Sequence, residues 1–369
     1  MIKQAGYLLF ALFFHLFRLC PRKKNKVFLV ATHDAGPDGN IGIVSQRLKE
    51  EKPEYEQVWF TRNNTIRRPV DFFVKKAYHL ATASYVFLDN EFLPMAYLHF
   101  GKNVKVVQLW HGTGTIKRFG QDVNTGTLKK LEYRANQRIT HLIVNSEAVK
   151  KEYASAFAVD PSRIYVIGNP RTDRMLDKQY LTQKVEQFYR DYPEMKEKRC
   201  ILYAPTFRDT EVSAPKLHLD LQKTADSLGK EDVLFIRLHP HIATHLKETL
   251  EGWKEKGIYN VSEYPEIATL LAAAEVLITD YSSIVFEYCL LERPMLFYAY
   301  DLKEFEQTGR SFYRDYRSFV PGPVIETEEE LLSCLKEQKY PQKESFVREN
   351  FPFLDGNATS RLFALIFSD

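Results

Sequence analysis

The sequence predicts an α/β protein built from two domains, each a parallel sheet with its loops gathered at the carboxyl ends of the strands. Three observations carry this prediction. The 369 residues exceed one ordinary hydrophobic core, so two domains are expected. Short apolar runs alternate with stretches of helical periodicity along the chain, which is the pattern of parallel strands joined by right-handed crossovers. Polar or glycine-bearing turns close run after run, where open α/β sheets hold their ligands. With 44% hydrophobic and 27% charged residues, the composition is globular and excludes the disordered class. A net charge of +3 is too mild to imply a nucleic-acid partner. Cys20, Cys200, Cys289 and Cys334 are scattered and form no CxxC pair. Neither a zinc knuckle nor a disulfide framework is supported, and a reducing compartment fits.

Residues 2–20 read IKQAGYLLFALFFHLFRLC, followed by the basic run Pro21-Arg22-Lys23-Lys24-Asn25-Lys26. The apolar core from Tyr7 to Phe14 is shorter than the roughly 20 residues a spanning helix needs. An aromatic helix beside a basic cluster suits the surface of an anionic bilayer. We therefore expect residues 1–24 to form a membrane-associated segment; docking of this helix on the protein's own core is the competing expectation.

The first domain is expected over residues 25–193. Lys26–Ala31 is its first strand, and the Gly/Asp/Asn-rich loop Thr32–Asn40 leads into a helix. This loop is not GxGxxG, so it is no dinucleotide fingerprint. Asp34 and Asp38 have no third ligand near in sequence and read as loop solvation rather than a metal pair. Further strands are expected at 55–60, 85–88, 104–110, 141–144 and 163–167, with a helix over 72–81. The run 104–110 ends in Trp110-His111-Gly112-Thr113. An imidazole delivered there, between a strand end and a glycine turn, can take a proton from a hydroxyl, or can be a structural residue. A helix over 185–192 leads out of this domain.

The second domain is expected over 194–369. Cys200–Tyr203 is a strand followed by Ala204-Pro205-Thr206-Phe207-Arg208-Asp209. Arg208 can hold a phosphate through its planar fork, or pair with Asp209 or another acid. The strand 233–238 ends in His239-Pro240-His241, a second imidazole at a strand terminus. His241 and His245 lack an HExxH glutamate and read as surface residues. Val276–Ile278, the polar turn Thr279–Ser283 and the helical run from Ile284 to Leu291 make a strand–turn–helix. Ser282 and Ser283 either cap that helix or donate to phosphate oxygens. A strand at 295–300, a tyrosine-rich loop to Pro323 and a short apolar segment at 362–367, which can pack back on the first domain, complete the chain.

Taken in order, QLWHGT (108–113), NSE (145–147), GNPR-D (168–173), YAPTFRD (203–209), RLHPH (237–241), TDYSS (279–283) and DLKEF, GRSFY and PGP (301–323) resemble the CDP-glycerol glycerophosphotransferases of wall teichoic acid synthesis. The resemblance implies a GT-B fold: two facing Rossmann-like domains with a central cleft. It implies no metal, no cofactor, and attack by an acceptor hydroxyl on the glycerol-bearing phosphorus of CDP-glycerol, with CMP leaving. His111 would be the base and His239 would support the leaving group. Substrate-binding residues would be Arg208, Thr279, Asp280, Ser282, Ser283, Glu287, Gly112, Thr113 and Asn40, with cytidine near Asp280 and Glu287. The first nucleotide-like unit begins by residue 27, so the chain looks like the primase, acting on an undecaprenyl-diphosphate-linked ManNAc-GlcNAc disaccharide at the cytoplasmic membrane face. Another acceptor, a CDP-ribitol donor, a sugar-nucleotide glycosyltransferase, and a homo-oligomer or complex with other teichoic acid enzymes stay open.

Overall fold

A computed structural model describes residues 2–62, 68–208, 211, 214–308 and 311–368. Asp209, Gly309 and Arg310, all within segments quoted above, lie outside these residues. The chain divides into two compact units, residues 1–174 with 350–369, and residues 175–349. The expected boundaries at 24/25 and 193/194 differ from this division for identifiable reasons, given below.

Unit 1 carries β1 (Lys23–Ala31), β2 (Glu56–Thr61), β3 (Ala83–Leu88), β4 (Lys105–Gln108), β5 (His141–Val144) and β6 (Ile164–Val166). All its pairings are parallel, in the order β2-β1-β3-β4-β5-β6. A parallel sheet must be covered on both faces, which is why its strands read as unbroken apolar runs. On one face Phe28, Val30, Val86 and Leu88 pack with Phe10 and Phe14 of helix α1 (Ile2–Phe17) and with Leu131 and Ala135 further along the chain. On the other, Val27, Leu29, Phe87 and Val107 pack with Ile41, Val44 and Leu48 of α2 (Asn40–Glu51), and with Leu362, Phe363 and Ile366 of the helix Ala358–Phe367.

Residues 1–24 are thus no separate segment. Phe10 and Phe14 are buried, with the Phe10 ring 5.3 Å from Phe72 and the Phe14 ring 5.3 Å from Phe100. The basic run is also partly inside: Lys26 is buried, its Nζ donating to Thr82 Oγ1 at 3.0 Å and lying 3.5 Å from Glu56. The opposite side of α1 is a row of exposed leucines, from Leu8 and Leu9 through Leu12 (65% exposed) and Leu16 to Leu19 beyond its end (84%). No helix among the described residues is long and apolar enough to cross a membrane. The helix Ala358–Phe367 is tied to unit 1 at its start. Asp173 accepts from the amides of Ala358 (2.9 Å) and Thr359 (2.8 Å), and Gly168, at φ +85°, leaves only 2.8 Å between the place of a Cβ and Ala358 Cβ.

Two more helices of unit 1 matter for the site, α3 (Gly126–Asn136) and α4 (Glu147–Phe157). The helix expected at 72–81 is a wide π turn over Asp71–Lys76 continued by Ala77–Ala81.

Unit 2 carries β7 (Arg199–Tyr203), β8 (Asp232–Ile236), β9 (Ile258–Asn260), β10 (Val276–Thr279), β11 (Met295–Tyr298) and β12 (Val324–Ile325), all parallel, in the order β12-β11-β10-β7-β8-β9. Strands β9 and β12 are short edge strands with too few apolar residues to register as runs. Helix α5 (Lys178–Asp191) starts seven residues earlier than expected, because Asp177 caps it, accepting from Gln179 N and Tyr180 N. It packs on α6 (Ile267–Ala273), which places it in unit 2.

The two sides of α1 predict opposite responses to truncation. Phe14→Ala should cost about 3–5 kcal/mol of stability through an unfilled cavity, whereas Leu12→Ala should stay within about 0.5 kcal/mol. Urea unfolding of the two variants checks this; equal losses would mean that α1 does not dock by this side.

Candidate active site

In both units the strand order reverses next to the first strand, and open α/β sheets bind their ligands outside such a reversal. In unit 1 it falls between β1 and β3. Asp89, the first residue past β3, is buried, and its carboxylate accepts from the backbone amides of Thr32 (2.9 Å), His33 (3.1 Å) and Asp34 (2.9 Å) in the loop after β1. Burial pushes the Asp89 carboxyl up and the three amide donors oppose that.

The Asp89 carbonyl serves His111. Past β4, Trp110 adopts φ +57°, a left-handed conformation that costs a bulky residue on the order of 1–3 kcal/mol. Two contacts hold it: its N–H donates to Gln108 Oε1 (2.9 Å) and its C=O accepts from Asn40 Nδ2 (3.0 Å). The chain then turns so that His111 Nδ1 donates to the Asp89 carbonyl at 3.1 Å. A carbonyl only accepts, so Nδ1 carries the proton and Nε2 of the neutral ring is the acceptor. The His33 ring stacks on His111 with centroids 3.9 Å apart and planes within 12°. Burial, then His33, and then Arg171 and Arg62 push the His111 imidazole down to about 3, against the Asp89 carbonyl. Burial and Arg171 bring His33 down to about 4. At neutral pH both rings are uncharged, and the His111 Nε2 lone pair is an acceptor.

The other expected unit 1 residues are engaged within the unit. Asn40 spends its amide on Trp110 and on the backbone N–H of Arg171 (2.9 Å). Thr113 is buried and its carbonyl accepts from Asn145 Nδ2 (2.5 Å). Gly112 is likewise buried, its carbonyl accepting from Tyr153 of α4, and a Cβ there would meet only ordinary contacts.

In unit 2 the reversal lies between β7 and β10, and an aspartate again joins the two loops. Asp280, the first residue past β10 and 1% exposed, accepts from the amides of Thr206 (2.8 Å) and Tyr281 (2.6 Å). Arg208 Nη1 lies 2.9 Å from the other carboxylate oxygen. Arg208 is 6% exposed and forks onto Asp301 through Nε (2.6 Å) and Nη2 (2.9 Å). Its guanidinium lies against the rings of Tyr281, Tyr300 and Phe305. Arg208 and Asp280 therefore hold each other, which corrects their expected role as ligand groups. Thr279 is corrected likewise: it is fully buried and donates to the Ala204 carbonyl at 2.7 Å. Glu287, on helix α7 (Ile284–Tyr288), is buried as well.

Ser282 and Ser283 are half-buried. Ser282 Oγ accepts weakly from Ile284 N (3.4 Å), and Ser283 makes no capping bond. His239 is exposed at the carboxyl edge of β8, its ring 5.2 Å from Phe207. The reading from sequence alone missed His33, Asp89 and Arg171. Asp89 had a signal, since it stands first after a strand just as Asp280 does.

Two parallel six-stranded units with loops of this kind define a protein of the GT-B class. The chain belongs to the CDP-glycerol:poly(glycerophosphate) glycerophosphotransferase family, whose profile matches residues 12–368. It is similar to the teichoic acid poly(ribitol-phosphate) polymerase of Bacillus spizizenii, 34% identical over 369 residues, covering 98% of this chain and 59% of that protein. It is also similar to the teichoic acid glycerol-phosphate primase of Bacillus subtilis, 31% identical over 299 residues and covering 79% of this chain and 76% of that one. Among solved structures, the wall teichoic acid polymerase TagF superposes with a TM-score of 0.82 at 25% identity, covering 99% of this chain and 95% of that one.

Two stability predictions follow from these contacts. Arg208→Met leaves Asp280 and Asp301 without the guanidinium they share and should cost about 3–5 kcal/mol, read by urea unfolding; a loss below about 1 kcal/mol would contradict the pairing. His33 and His111 have folded-state pKa values below the ordinary 6.5. The unfolded chain therefore binds protons first as pH falls, so stability present above about 6.5 declines toward pH 4 and 3, by at most about 1.4 kcal/mol per pH unit for each ring. His33→Gln should reduce the loss of stability between pH 7 and pH 5; an unchanged loss would show that His33 does not titrate as described.

Proposed function

We propose that the protein is a teichoic acid polyol-phosphate transferase, moving glycerol phosphate or ribitol phosphate from its CDP conjugate to an acceptor hydroxyl. The observation that carries this reading is His111, with Nδ1 committed to Asp89 and Nε2 left as proton acceptor. Family membership supports a CDP-polyol donor. Relatives named for ribitol phosphate and for glycerol phosphate both match, so the polyol stays open between the two. Primase and polymerase relatives are likewise both present, and the lipid-linked disaccharide is one acceptor to test.

In the proposed reaction His111 Nε2 takes the proton of the acceptor hydroxyl. The oxygen forms a bond to the polyol-bearing phosphorus, and the bond from that phosphorus to the bridging oxygen breaks. CMP leaves with the electron pair. Unit 2 binds the donor, with the Ser282 and Ser283 hydroxyls donating to the diphosphate and His239 supporting the leaving phosphate. General-base catalysis of this kind is worth about 10²–10⁴-fold.

We place the protein on the cytoplasmic membrane face through the exposed leucines of α1, assisted by basic residues nearby. Since α1 also fills the core of unit 1, deleting it would test folding rather than binding. The informative variant exchanges Leu8, Leu12 and Leu16 for serine.

His111→Ala should lower turnover of CDP-glycerol or CDP-ribitol about 10²–10⁴-fold with an unchanged circular dichroism spectrum; wild-type rates would remove His111 as the base. Turnover of UDP-sugars alone would replace this reading with that of a glycosyltransferase. The triple leucine variant should no longer sediment with anionic phosphatidylglycerol vesicles, and undiminished sedimentation would assign the membrane contact elsewhere.

A further inference from the structure

Helix α1 runs against the strands of unit 1. Residues 18–22 alone join it to β1, so its end lies at the edge of the sheet where the strands begin. Its ring contacts follow the same direction. Phe10 lies 6.1 Å from Phe92, past the end of β3, and Phe14 lies 5.3 Å from Phe100, ahead of β4. His33 and His111 stand at the other edge, where the strands finish.

Three segments meet at the starting edge, residues 15–22, 98–104 and 137–140. Together they carry His15, Arg18, Arg22, His99, Lys102 and Arg138, and no aspartate or glutamate. The contacts between them are direct. His15 Nε2 donates to the Tyr97 carbonyl at 3.0 Å, and its ring lies 5.6 Å from that of His99. Arg138 Nη2 donates to His99 Nε2 at 3.4 Å. Arg18 prolongs the helix, its N–H donating to the Phe14 carbonyl at 3.0 Å, which sets it one turn on from His15. Arg22 lies over Gly101, where a Cβ would stand 2.9 Å from its Nη1. Among the described residues, none of these side chains is paired with a carboxylate. Next along the same edge, by contrast, Lys23 and Lys26 are answered by Glu56, at 2.9 and 3.5 Å. Gathered cations with no counter-charge favour an anion beside them, and a guanidinium fork matches phosphate oxygens in shape and charge.

The leucine row indicates which anion. Leu12 and Leu16 flank His15 on the exposed side of α1, and Leu19 follows Arg18. A soluble phosphate ester gains nothing from leucines. A phospholipid carries its phosphate directly above its acyl chains, so cationic and apolar side chains set side by side meet both parts of it.

We propose that Arg18, Arg22 and Arg138, gathered around residues 99–101, hold the headgroup phosphate of an anionic glycerophospholipid while Leu12, Leu16 and Leu19 enter the acyl layer. This deepens the membrane placement made above and rests on it. The 16 residues of α1 span about 24 Å. The bilayer therefore runs along the strands and is anchored at one edge of the sheet, and the His33–His111 edge stands beside it at the other.

The test uses the full chain and sedimentation with phosphatidylcholine vesicles, with and without phosphatidylglycerol. Arg22→Gln and Arg138→Gln should each lower partition onto the phosphatidylglycerol vesicles about fivefold and leave binding to phosphatidylcholine unchanged. Gly101→Ala should lose part of the same binding, because its methyl displaces the Arg22 guanidinium. Arg22 is exposed, which makes its variant the safer one for folding. Lys49→Gln removes an equal charge from the opposite face of the sheet and should have little effect. All four variants should keep wild-type turnover with a soluble acceptor, since none lies at the His111 edge.

Partition indifferent to Arg22 and Arg138, or lowered as much by Lys49→Gln, overturns the headgroup site. Release of the protein by millimolar glycerol phosphate at constant ionic strength overturns the lipid as occupant and assigns the arginines to a soluble phosphate ester. The leucine variant separates this proposal from the reading beneath it. If the arginine variants lose phosphatidylglycerol binding while the triple leucine variant keeps it, the leucine contact falls and the anion site stands.

Discussion

Each unit depends on one buried carboxylate set at the point where its strand order reverses. Two parallel strands that run side by side there release their loops in opposite directions across the sheet, and nothing in the strand pairing itself fixes those loops. Asp89 fixes the loop after β1 through three amides, and Asp280 fixes the loop after β7 through Thr206 and Arg208. A buried carboxylate is costly unless its oxygens are satisfied, so each aspartate holds its loop in the one geometry that satisfies it. The position of His111 follows directly, because its ring is held by the carbonyl of the same Asp89.

The two clamps differ in what they leave available. In unit 1 the aspartate uses backbone donors, and the His33 ring of its loop stacks on the His111 imidazole. In unit 2 the aspartate recruits a cation, and Arg208 is consumed by Asp280 and Asp301. Ser282 and Ser283, which follow Asp280 closely, stay half-buried, and His239 is exposed. The strain at Trp110 fits the same logic: a left-handed residue persists where hydrogen bonds on both sides leave it no alternative.

Much of this was legible in the residues. The apolar runs located ten of the twelve strands, because a strand covered on both faces must be apolar throughout; β9 and β12 escaped because each supplies only two consecutive apolar residues, Ile258-Tyr259 and Val324-Ile325. The strand-end placement of His111, Ser282 and His239 was also readable. The engagement of Arg208, Asn40 and Thr279 was not, since a polar residue beside a strand end reads the same whether it faces a ligand or a neighbouring carboxylate. The stack of His33 on His111 joins residues 78 positions apart, and no local pattern announces such a contact. For α1, helical periodicity did not separate the phenylalanines that enter the core from the leucines that stay outside.

The return of residues 358–367 to the first sheet has a consequence for synthesis. Unit 2 is one continuous stretch and can complete its core while the ribosome is still working. Unit 1 cannot, because Val27, Leu29 and Phe87 wait for Leu362, Phe363 and Ile366 to emerge. Its earliest strands keep part of one oily side uncovered until those residues emerge, so the unit begun before the other is finished after it, and it is the one with most need of a chaperone.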